Sequence, residues 1–68
     1  MANEIIRMNR IRMILKEVPK RKINRYEFIA KMSLRHGISS RTIDDYMKTL
    51  IDAKEIMFDN KLIWKEDA

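Results

Sequence analysis

Sixty-eight residues with one glycine and no cysteine make one small domain over residues 1–68. A disulfide framework and a zinc centre are excluded, because there is no Cys and His36 is the single histidine. The net charge of +5 is uneven: positions 1 to 38 hold ten Lys/Arg against three acids, +7, and positions 39 to 68 hold five against seven, −2.

The first helix is predicted from Ile5 to Val18, capped by Asn3 and stopped by Pro19, whose ring disfavours helical geometry at Val18. Met8, Ile11, Leu15 and Val18 recur at spacings of three and four and form its core stripe. Ile6 and Met13 lie seven apart on another face, so this helix offers a second apolar side, a surface for a partner or a homodimer.

After the basic connector "KRK" and an extended residue at Ile23, Asn24 followed by Glu27 reads as a capping box that opens a second helix running to about His36. Phe28, Ile29 and Met32 line its inner side, with Tyr26, Ala30 and Leu34 adjoining them in a wide buried arc. His36 is expected as a packed, half-buried residue at the helix end, and Gly37 takes the left-handed position that closes it.

Ser39 caps a third helix, about 39–54, whose apolar residues Ile43, Tyr46, Met47, Leu50 and Ile51 keep a strict helical period. Beyond Ala53, "EIMF" and "KLIW" are short apolar runs around Asp59 and Asn60, which accept the backbone angles of a hairpin turn. A three-residue loop is expected, which places Ile56, Phe58, Leu62 and Trp64 on one face; a two-residue loop would invert that choice.

The fold class is therefore mainly α with a small β-hairpin: helix, short strand, helix, turn, helix, two-stranded ribbon. In that order, Ile23, the stretch Ala30 to Met32, "GIS" at Gly37–Ser39, "RTI" at Arg41–Ile43, Tyr46, Leu50 and the "DAKEI" leading into the hairpin resemble the winged-helix family of helix-turn-helix DNA-binding domains. The likeness covers nearly the whole chain and is greatest to compact archaeal and archaeal-virus members. Many members carry Gly before the wing, where this chain has Ala53-Lys54, and the wing here is short, with Lys61 its only cation near the tip.

The resemblance implies a sequence-specific double-stranded DNA-binding protein, a small transcriptional regulator, with its third helix in the major groove. Ser40, Arg41, Asp44, Asp45 and Lys48 would then read the target. Arg41 forks onto guanine, Asp44 or Asp45 accepts from the cytosine amino group, and Ser40 and Lys48 reach neighbouring phosphates. Acids there repel phosphate, so affinity is expected from Lys20, Arg21, Lys22, Arg25, Lys31 and Arg35, with Lys61 on the wing. The plainer reading of the same helix is surface pairing four apart: Arg41 with Asp45, Asp44 with Lys48, Lys48 with Asp52.

A protein-interaction or assembly module on the same fold is the alternative, with Ile6 and Met13 as anchors. No nucleophile-base pair, metal cluster or glycine-rich phosphate loop is present, so no enzyme activity, cofactor, metal or small-molecule ligand is expected. No apolar run approaches the roughly 18 residues that span a bilayer, and no leader pattern opens the chain. No membrane association is expected, and the protein is placed in the cytoplasm, on DNA.

Overall fold

The computed structural model describes residues 2–66. Three helices, α1 (Ala2–Glu17), α2 (Arg25–His36) and α3 (Ser40–Asp52), are joined by three short strands, β1 (Ile23–Asn24), β2 (Met57–Asp59) and β3 (Leu62–Trp64). The strands form one antiparallel sheet in the order β1-β3-β2.

α1 begins ahead of Asn3, which lies within the helix and does not cap it, and it ends at Glu17 before Pro19. Its core stripe is Ile11, Ile14 and Val18, all buried. Met8, expected inside, is 46% exposed, and Leu15 is half-buried. Both stripes keep helical spacing, so periodicity alone cannot choose between them. Packing against the body rotates the buried side by part of a turn toward Ile14. Residues 3 to 10 are all exposed.

α2 starts where Asn24 leaves the strand, and the Asn24 side-chain oxygen accepts from the amides of Tyr26 and Glu27. Gly37 closes the helix at φ 65, its amide donating to the Ser33 carbonyl. Phe28, Ile29 and Met32 are buried as expected, but the arc is narrower than its composition suggests. Ala30 is exposed, Tyr26 is 60% exposed and Leu34 87% exposed, because neither α1 nor α3 covers that side.

The Ser39 hydroxyl accepts from the Thr42 amide and starts α3, whose Ile43, Tyr46, Met47 and Leu50 are buried, with Ile51 packed at the margin. At its end Lys54 N–H donates to the Ile51 carbonyl and Glu55 N–H to that of Leu50, a paired closure that places Lys54 at φ 62. This is the left-handed position that glycine usually fills, and here a lysine occupies it.

The hairpin differs from the expected register. Asp59 faces Leu62, so the loop has two residues, Asn60 and Lys61, with Asn60 at φ 58. Ile23, Ile63 and Phe58 therefore align across the sheet on the side that holds Ile56. Ile56 and Ile63 are buried, whereas Phe58, at the free edge, remains 46% exposed. Leu62 and Trp64 point to the other side, and Lys22 Nζ sits 4.7 Å from the centre of the Trp64 ring. β1 adds the third strand, and the Lys65 amide donates to the Pro19 carbonyl at 2.8 Å, fastening β3 to the end of α1.

Candidate nucleic-acid interface

α3 is held on its inner side by four fully packed side chains, so its outward side is a rigid platform. Ser40, Arg41, Asp45, Lys48 and Asp52 are exposed on it, with Thr42 and Asp44 half-buried at its margins. Arg41, Thr42, Asp44, Asp45 and Lys48 enclose a shallow depression there. Four of the five expected reading residues thus share one open surface. Asp44 borders the same depression but is the exception, because its carboxylate is engaged by other side chains.

Arg25, at the first position of α2, donates from Nη2 to Asp44 Oδ1 at 2.6 Å, and Lys48 Nζ lies 3.6 Å from Asp44 Oδ2. Arg25 is 16% exposed and Asp44 32%. The guanidinium also lies over the rings of Tyr26, at 5.9 Å, and Phe58, at 5.6 Å. Its Nε is buried without a partner. The bond from Arg25, opposed by partial burial and aided by the charges of Arg25 and Lys48, holds the Asp44 carboxyl below its ordinary range. Two residues expected on DNA, one as a reader and one as a phosphate ligand, therefore satisfy each other across the α2–α3 junction.

Of the three ion pairs expected along α3, Asp44–Lys48 forms. Among the described residues Arg41 and Asp45, and likewise Lys48 and Asp52, are not paired to each other. Arg41 and Asp45 are consequently open to a ligand.

The expected phosphate ligands do not gather on one side. Arg21, Lys31 and Arg35 line a groove with Glu17, Pro19, Ile23 and Phe28, between the end of α1, β1 and α2, and no α3 residue borders it. Arg35 Nη1 donates to Glu17 Oε1 at 2.6 Å, and the other oxygen of Glu17 meets His36 Nε2 at 3.1 Å. His36 is thus the half-buried helix-end residue expected, engaged in tying α2 to α1. Lys20 and Lys22 are exposed on the connector, with Lys22 over Trp64. Lys61 is exposed in the hairpin turn, whose carbonyl accepts from the Arg25 amide at 2.7 Å, so the turn abuts the start of α2.

Arg7 is one of the ten cations among positions 1 to 38. The structure brings it to α3: its Nη2 donates to Thr49 Oγ1 at 3.2 Å and its guanidinium lies 5.9 Å from the Tyr46 ring centre. Arg7 and Tyr46 are 39 positions apart, so no local signal could have paired them. Arg7, bonded to Thr49, and the Arg25–Asp44 pair lie on opposite edges of the exposed side of α3.

Ile6 and Met13, expected as one partner surface, are separated in environment: Ile6 is 48% exposed and Met13 packs against the core. Among the described residues no group of three His, Asp or Glu is placed to hold a metal, and no helix is long and apolar enough to cross a membrane. Comparison with protein-family models, with curated proteins and with solved structures finds no match to this chain.

Proposed function

We propose that the protein is a winged-helix, sequence-specific binder of double-stranded DNA, a small transcriptional regulator that presents α3 to the major groove. The observation that carries this reading is the α3 platform itself: Ser40, Arg41, Asp45 and Lys48 stand exposed on a helix whose opposite side is fully packed. A helix about 10–12 Å across matches the width of the major groove. Arg41 supplies the fork for guanine and Asp45 the acceptor for cytosine.

Charge placement refines the expected roles. Arg7, bonded to Thr49 of α3, and Lys61, in the turn that abuts the start of α2, are the cations assigned to the flanking phosphates, together with Lys48 on α3 itself. Asp44 and Arg25 tie the start of α2 to α3 and leave the reading set. Arg21, Lys31 and Arg35 add to the long-range field, which steers a polyanion without contacting it.

Selection of bound duplexes from a random pool, followed by fluorescence anisotropy on the selected and a scrambled sequence over a range of salt, tests the reading. A linear fall of log affinity with log salt and a clear preference for the selected duplex are expected. Arg41→Ala should narrow that preference by about 1–3 kcal/mol. Absence of binding to any duplex at low salt would refute the proposal and favour an interaction module.

A further inference from the structure

The first half of α1 is exposed and carries apolar side chains. Ile5 is 62% exposed and Met8 46%. At 100° per residue, Ile5, Met8, Arg12 and Leu15 fall along one face at spacings of three, four and three, the seam along which helices pair. Glu4, Ile5, Met8, Asn9 and Arg12 line a shallow groove along it. Arg7 shows where the rest of the domain lies, since it reaches α3 from a different side of the helix.

We propose that this face docks on the same face of a second copy of the chain, with the two α1 helices antiparallel about a two-fold axis at Met8. Charge selects this arrangement. Glu4 and Arg12 stand four positions before and after Met8, each about 6 Å from it along the helix. In an antiparallel pair centred on Met8, Glu4 of one copy lies opposite Arg12 of the other, and symmetry makes the contact twice. A parallel, in-register pair would instead set Glu4 against Glu4 and Arg12 against Arg12. Neither residue has an ion-pair partner within the chain among the described residues. Glu4 is also the only acid before Glu17, so it is the single group able to specify the register.

At the axis Met8 meets Met8, and the aliphatic stem of Arg12 covers Ile5 of the other copy while its charged end stays wet. Four helical turns offer less area than a standard interface of about 1,200 Å² or more, so the pair is weak and forms where local concentration is high. The inference rests on α1 alone and is independent of any DNA binding by α3.

The absence of cysteine makes the test clean. A Met8→Cys protein should form disulfide-linked dimers under mild oxidation roughly tenfold faster than Ile6→Cys, whose side chain lies on another face, after both rates are corrected for reaction with a small disulfide. Adding Arg12→Glu to Met8→Cys should slow cross-linking about tenfold by opposing two pairs of like charges, and adding Glu4→Arg to that should restore it. Circular dichroism confirms that each variant is folded. Equal cross-linking of the two cysteine variants, or failure of the double charge exchange to restore the rate, would overturn the proposal.

Discussion

Arg25 and Asp44 carry the most consequential contact made by single side chains. The pair is off the fully wet surface, and Asp44 also faces Lys48, so the contact is worth more than an isolated surface bridge. Asp44→Asn should cost about 1 kcal/mol at neutral pH. The sign with pH follows from the lowered carboxyl of Asp44: its stabilisation is fully present above the unfolded carboxylate value of 3.8 and is lost as pH falls through the lower folded value. The gap between wild type and Asp44→Asn in urea unfolding should therefore close below that value, and a gap unchanged in acid would contradict the assignment. Lys54 stands at the other extreme, a side chain in a backbone state that disfavours it. Lys54→Gly should raise the urea midpoint, by about 1 kcal/mol in stability, since the left-handed conformation costs a non-glycine residue that much.

Among the elements, α1 has two halves with different duties. Ile11, Ile14 and Val18 are built into the core, whereas residues 3 to 10 are all exposed. Ile14→Ala should cost about 2–5 kcal/mol, enough to unfold much of a domain this small, while Met8→Ala should stay within about 0.5 kcal/mol in dilute monomer. Urea midpoints of the two proteins check this directly, and equal losses would mean that the buried side of the helix is the one expected from Met8. The hairpin shows a similar ambiguity. Its strands were legible from "EIMF" and "KLIW", but the register turned on whether Asn60-Lys61 or a longer loop joins them. β1 settles it: Ile23 pairs with Ile63, which makes Ile63 the central buried residue and commits its neighbours to the opposite face.

At the level of the molecule, positive charge is divided between the surroundings of α3 and a groove bordered by α1, β1 and α2. If α3 enters the major groove, Arg7→Ala and Lys61→Ala should each lower the slope of log affinity against log salt by about one. Lys31→Ala and Arg35→Ala should leave the slope unchanged. The reverse pattern, measured by the same titration, would place the phosphate backbone on the α2 groove and α3 elsewhere.

What the sequence determined without help was local. Helix period, the Asn24 and Ser39 caps, the Gly37 close and the turn residue Asn60 act over a few positions, and α2 and α3 begin, α2 ends and the hairpin turns where those signals put them. Packing decided the rest. Which of two overlapping stripes of α1 is buried, that Tyr26, Leu34 and Phe58 stay exposed, that Arg25 consumes Asp44, and that Arg7 reaches Thr49 across 42 positions all depend on which surfaces meet. A helical period specifies that one side of a helix is apolar. Its orientation toward a neighbour, and therefore the company each charge keeps, arises only when the elements close around a common core.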